Sequence, residues 1–291
     1  MKRFKELLLF IVTVSLMMLS GVIVKNILAA FGIVYTPDND YLYSIIDLLS
    51  SLLVIIVLFI IHGKTLYEDF IKLKKEKLGL LKYLGLIALG YLLLMNLETV
   101  STIISRVIAY LIQVDMNTSD NQQKIETIIH VSPLYMAISA CLLAPLEEEL
   151  LFRASIRKTI KNKGVFIAVS GLFFGLMHIT DNFILLLLIM ILGFAISEIY
   201  YSKLNKKNKI LLSVISIVIS LSIFIISILI FHGSINAYIY SLNPNEILNG
   251  ITYVCLGCYL AGVYVYTDNI YYTIGIHMLT NSVATIMLLL K

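Results

Sequence analysis

The chain has 291 residues, of which 59% are hydrophobic and only 14% charged, with a mean hydropathy of +0.94. A water-soluble domain carries roughly 45–50% apolar and about 25% charged residues, so this composition excludes a soluble enzyme, a disordered tail protein and a nucleic-acid binder. The net charge of +4 is small and the 22 basic residues are clustered, as they are when they record membrane orientation rather than a phosphate-binding face.

Apolar stretches near the ~20 residues needed to cross hydrocarbon recur along the whole chain. They predict spans at 7–32, 42–62, 83–112, 131–153, 165–182, 183–202, 210–231, 248–266 and 270–290. The expected fold is all-α, a polytopic transmembrane helix bundle of about eight or nine spans. The first run follows Met1-Lys2-Arg3. It is too long for a signal-peptide core and lacks a small-residue cleavage site, so it reads as a retained span. The third is either a tilted crossing or a span followed by an interfacial helix.

Basic residues alternate between sides. Lys2, Arg3 and Lys5 precede span one, and Lys64, Lys72, Lys74, Lys75, Lys77 and Lys82 fill the expected loop after span two. Arg153, Arg157, Lys158, Lys161 and Lys163 follow span four, and Lys203, Lys206, Lys207 and Lys209 follow span six. The intervening loops, 33–41, 113–130 and 232–247, hold only Lys124. The positive-inside rule then puts the amino terminus and the basic loops in the cytoplasm. Cys141, Cys255 and Cys258 all lie in apolar runs. The Cys255-Leu-Gly-Cys258 spacing therefore reads as helix packing rather than a redox pair.

Ionisable residues inside apolar runs are costly and mark function. Three groups stand out. Pro145-Leu-Glu147-Glu148-Glu149-Leu-Leu-Phe-Arg153 places Arg153 four residues after Glu149, the favourable acid-then-base order. That pairing leaves Glu148, about 100° round the helix, free to accept protons. Pro145 cannot donate to the Cys141 carbonyl, so a kink is expected one turn before the acids. Next, His178 ends Phe174-Gly-Leu-Met-His178, and His277-Met-Leu-Thr-Asn281 puts an imidazole and an amide on one helix face. Such a pair suits oxyanion stabilisation; hydrogen bonding between helices is the other reading.

Depth lets the three groups meet. With a hairpin turning at Gly164, Glu148 and His178 lie roughly 24 and 21 Å from the turn, and His277 lies about 12 Å beyond the Asn269 end of its helix. A carboxylate, two histidines and an amide then share one level, reachable from the cytoplasm.

These motifs resemble the CAAX-processing and bacteriocin-processing (CPBP, or Abi) family of intramembrane proteases, whose pattern is E-E-x-x-x-R, F-x-x-x-H and H-x-x-x-N. Here the pattern falls on Glu148-Glu149…Arg153, Phe174…His178 and His277…Asn281. The resemblance covers about residues 131–288 and leaves 1–130 as transmembrane helices without an assigned motif. The stretch between His178 and His277 exceeds the family's usual gap, and an extra helix pair near 183–231 accounts for it.

The resemblance implies an endopeptidase in which Glu148, helped by His178, activates a water, His277 and Asn281 stabilise the oxyanion, and Glu149 and Arg153 orient the catalytic helix. It also implies a divalent metal such as zinc, held by His178 and His277, or a metal-free glutamate–histidine mechanism; no H-E-x-x-H helix is present. The expected partners are the lipid bilayer and a peptide or membrane-protein substrate, and the expected location is a bacterial plasma membrane. Two other readings are a non-catalytic bacteriocin-immunity or membrane scaffold protein of the same family, and a transporter, for which only Pro145 speaks.

Overall fold

The computed structural model describes residues 2–36, 39–75, 79–179, 183–234 and 243–290; of Lys2, Phe183, Phe231 and His232 it describes the backbone alone. Lys77, the Lys2 side chain, the junction of the fifth and sixth predicted spans and most of the 232–247 loop lie outside the described residues.

Every regular element among the described residues is helical. Three long helices open the chain: α1 (Lys2–Ala30), α2 (Asp40–Lys75) and α3 (Gly79–Leu111). A short α4 (Asp120–Val131) follows. A broken helical run then covers 133–159. It consists of α5 (Pro133–Ile138), a π-helical turn (Ser139–Leu143), α6 (Ala144–Glu149), a second π-turn (Leu150–Ser155) and α7 (Ile156–Thr159). The remaining helices are α8 (Lys163–Met177), α9 (Phe183–Tyr201), α10 (Lys206–His232), α11 (Pro244–Thr267) and α12 (Ile270–Leu289). Asparagines start several of them. Asn162, Asn205 and Asn269 each accept a backbone N–H from the first turn of α8, α10 and α12, at 3.0, 2.8 and 3.0 Å.

Seven of these helices are long and apolar enough to cross a membrane. Along α10 the exposed side chains include Leu211, Leu212, Val214, Ile217, Ile219 and Ile223. At about 100° per residue they spread over roughly two-thirds of the helix circumference, far wider than the single apolar stripe of a soluble helix, as suits lipid. The protein is an integral, multi-pass, all-α membrane protein.

The structure departs from the predicted spans in four places. The third is one unbroken helix of 33 residues, about 50 Å long, with no separate interfacial piece. The basic stretch after the second span is not a loop: α2 continues to Lys75, because its Lys, Glu and Leu residues are good helix formers and Lys64 and Glu68 pair at i,i+4. Residues 120–131, expected within a loop, form α4, with Ile128 and Ile129 buried. Finally, the fourth span is the broken run and the fifth is the 15-residue α8, so neither is among the seven.

The chain divides into two compact units, Met1–Met95 with Asn121–Ile156 and Val263–Lys291, and Asn96–Asp120 with Arg157–Gly262. The first contains α1, α2, the broken run and α12. Its helices are stitched by polar groups. Asp69, only 3% exposed, accepts the Ile270 N–H at 2.9 Å and so caps α12 from α2. Its carbonyl accepts from the Asn269 amide at 2.9 Å. Lys72 closes the knot, reaching Asp69 at 2.9 Å and Asp268 at 3.0 Å. This fixes where α12 begins, and hence how deep His277 sits.

The second unit, built from α8, α9, α10 and α11, is assembled by shape. A Cβ on Gly175 of α8 would stand 2.7 Å from the Val254 nitrogen of α11, and one on Gly257 would meet the Gly171 carbonyl at 3.0 Å. Small residues at such crossings let membrane helices approach backbone to backbone.

Candidate active site

The first unit gathers five of the six expected site residues. Glu149 and Arg153 are both fully buried, and Glu149 Oε2 lies 3.1 Å from Arg153 Nε. The other carboxylate oxygen, Oε1, lies 3.0 Å from His277 Nδ1. A carboxylate paired with a guanidinium can only accept here, so Nδ1 carries the proton and donates. That choice of tautomer leaves His277 Nε2 as the basic nitrogen. It faces Glu148 Oε2 at 3.8 Å. The Glu148 oxygen is buried and has no hydrogen-bond partner among the described residues.

A water lodged between these two acceptors can donate to each and keep its oxygen lone pairs outward. The arrangement can therefore hold and deprotonate a nucleophilic water.

The π-turns explain how the glutamates are presented. In the first, the Ala144 N–H bonds to the Ser139 carbonyl, five residues back. The Ala140 carbonyl thereby loses its usual partner, and the next residue able to serve it is Pro145, which has no N–H. Asn281 takes this place, its Nδ2 donating to the Ala140 carbonyl at 2.9 Å. The kink expected at Pro145 is thus realised as a π-turn. One of the two Asn281 amide hydrogens is committed to backbone there.

His178 belongs to the second unit, at the C-terminal end of α8. Its Nδ1 lies 2.7 Å from the Phe174 carbonyl, so this nitrogen donates and Nε2 is the basic one. The ring stacks on Tyr253 of α11, with centroids 4.6 Å apart and planes 19° from parallel. Phe174, one turn earlier, lies at the same centroid distance. The C-x-x-C pair is free thiols, and Cys258 packs on Gly171.

Two neighbours of the site carry no family motif. Asp47 of α2 accepts from Ser139 at 2.7 Å, and His62 of α2 lies 2.7 Å from Ser155. Glu147, the first of the three acids, turns to Ser51 of α2 rather than to His277.

A catalytic zinc takes three protein donors and keeps a position open. Among the described residues no three His, Cys, Asp or Glu side chains are grouped to hold an ion, and no chemical step is derived through one.

Residues 130–216 match the family model described as type II CAAX prenyl endopeptidase, Rce1-like. The match is under a third of the chain and takes in Glu148, Glu149, Arg153 and His178. The chain matches no curated protein and no solved structure. The matched segment, which carries the glutamate pair and its arginine, is thus similar to the CPBP/CAAX protease family.

Proposed function

We propose that the protein is an intramembrane endopeptidase that hydrolyses a peptide bond with a water activated by glutamate and histidine. The observation that carries this reading is the chain Arg153–Glu149–His277, whose Nε2 lies 3.8 Å from a buried Glu148 oxygen.

Arg153 balances the charge of Glu149, and Glu149 fixes the tautomer and orientation of His277. A carboxylate so placed does for an imidazole what the buried aspartate does in a serine-protease triad. Glu148 takes a proton as the water attacks the peptide carbonyl, and the charge that develops on its oxygen needs an N–H donor. His277 becomes such a donor once protonated, and Asn281 supplies an amide beside it. The proton that Glu148 takes from the water is the one returned to the leaving amine, and His178 enters on its motif alone, which lies inside the matched segment. The clustering of basic residues near the run, from Arg153 to Lys163, supports a site open to the cytoplasmic side.

The test is Glu148→Gln, which keeps the shape and removes the base. New peptide termini in the membrane proteome, quantified by mass spectrometry, are expected to fall at least 100-fold at the sites that depend on this protein, the loss typical of a general base. Cleavage retained at the wild-type level would remove Glu148 from the reaction. A protective phenotype that outlives the substitution would point to the non-catalytic immunity or scaffold role instead.

A further inference from the structure

The two π-turns that bracket the three glutamates are each held by a polar side chain of one helix, α2. At the first turn, Ser139 donates to Asp47 Oδ2 at 2.7 Å. At the second, His62 Nε2 lies 2.7 Å from Ser155 Oγ, and the same Oγ donates across the turn to the Leu150 carbonyl at 3.1 Å. A hydroxyl has one hydrogen, so His62 is the donor to Ser155. His62 is 1% exposed and Ser155 7%. A buried histidine committed to a buried serine, which is itself committed to the carbonyl next to Glu149, is a defined relay into the glutamate pair.

The spacing shows that these are two ends of one fit. Asp47 and His62 are fifteen residues apart on a continuous helix, a rise of about 22 Å, while Ser139 and Ser155 are sixteen apart. Both pairs ascend in the same direction, so α2 and the broken run lie parallel in chain sense. The run needs one residue more to cover the distance, as a helix does when π-turns are inserted into it. An inserted residue rotates all that follows it on the helix. What clamps the π-turns therefore sets the directions in which Glu148, Glu149 and Arg153 point. Helices carrying π-turns pay for them in regular hydrogen bonds, and such turns gather at functional sites.

We infer that Asp47 and His62 are positioning residues of the catalytic glutamates, α2 serving as a splint with one polar clamp on each π-turn; the inference rests on the endopeptidase reading given above. Neither residue touches the reacting atoms. Asp47 acts through Ser139, and His62 through Ser155 and the Leu150 carbonyl. The first 130 residues then hold part of the active-site machinery.

The test is run on the full chain in membranes, reading the same new termini per unit of folded protein. His62→Ala and Asp47→Ala are each expected to lower their yield by roughly tenfold or more, as small misplacements of catalytic groups do. His62→Gln keeps a donor for Ser155, and Asp47→Asn keeps an acceptor for Ser139. Both are expected to recover to within about threefold of wild type, which a general packing role or a requirement for the carboxylate charge would not allow. Ser155→Ala combined with His62→Ala is expected to be no worse than His62→Ala, because both break the same relay. Where His62→Ala does not accumulate, Ser155→Ala alone removes the contact with the loss of a single oxygen.

Wild-type yields from His62→Ala and Asp47→Ala, in cells where Glu148→Gln is inactive, overturn the splint and leave the protease standing. So does failure of Gln and Asn to rescue. Retained cleavage by Glu148→Gln overturns the protease reading itself, and the two failures are told apart in one experiment.

Discussion

The two units of the molecule hold their helices together by different means. In the first, α2, the broken run and α12 are joined through buried charges and hydrogen bonds: Asp69 to the start of α12, Asp47 to Ser139, His62 to Ser155, and Glu149 to both Arg153 and His277. In the second, α8 and α11 meet backbone to backbone at Gly171, Gly175 and Gly257. Directional bonds fix side-chain angles, which a catalytic carboxylate needs. Close packing fixes distance between backbones, which suffices to seat the His178 ring on Tyr253. Each unit should therefore fail in its own way.

The largest effect is expected from Arg153→Ala. Glu149 would be left fully buried without its cation, and removing one partner of a buried pair costs about 3–5 kcal/mol. Thermal unfolding in detergent measures it. The sharper comparison is the double variant Glu149→Leu with Arg153→Met, which removes both charges at similar volume. It is expected to regain much of the lost stability while staying inactive, because no carboxylate then orients His277. A double variant as unstable as Arg153→Ala would show that shape, not charge, holds the first unit.

Gly175→Ala is the corresponding break in the second unit. Its Cβ would stand 2.7 Å from the Val254 nitrogen and 2.9 Å from its Cα, and backbone cannot yield as a side chain does. Overpacking of this kind costs about 1–3 kcal/mol. Gly63→Ala in α2 is the control: nothing lies within 4 Å of its Cβ, and alanine there should be neutral or stabilising. Equal melting temperatures for Gly175→Ala and wild type would remove close packing as the basis of the second unit.

Much of this was legible in the sequence, for a physical reason. Crossing a bilayer imposes length and hydropathy on each helix, so the long spans other than the second could be read within a few residues. The Glu149–Arg153 pair was legible too, since i,i+4 spacing survives the π-turn. The π-turns were not: Pro145 signals a disturbed helix, but whether it kinks or shifts register depends on Asn281, 141 residues from Ala140 in the chain, donating to the orphaned carbonyl. The sequence also put His277 and Asn281 on one helix face, where the structure turns them to different partners, Glu149 and the Ala140 carbonyl. Asp47 and His62 were within reach. Both are polar residues in an apolar run, the same signal that singled out His178, yet neither belongs to a family motif. The extension of α2 past the membrane was hidden by its lysines, which mark sidedness and favour helix at once.

The smallest expected effect concerns Cys255 and Cys258. Their spacing is that of a redox pair, but the Cys258 sulfur is directed across the interface, onto Gly171 and toward the Ile167 carbonyl at 3.7 Å, rather than along α11 toward Cys255. If this sulfur only fills space between two close helices, replacing both cysteines by alanine removes little more than one polarisable atom at the contact. A loss of about 1 kcal/mol or less is expected, with cleavage unchanged and no response to added dithiol. Oxidant-dependent activity that disappears in the double variant would instead make the second unit a redox element, and its close packing a way of bringing thiols together rather than helices.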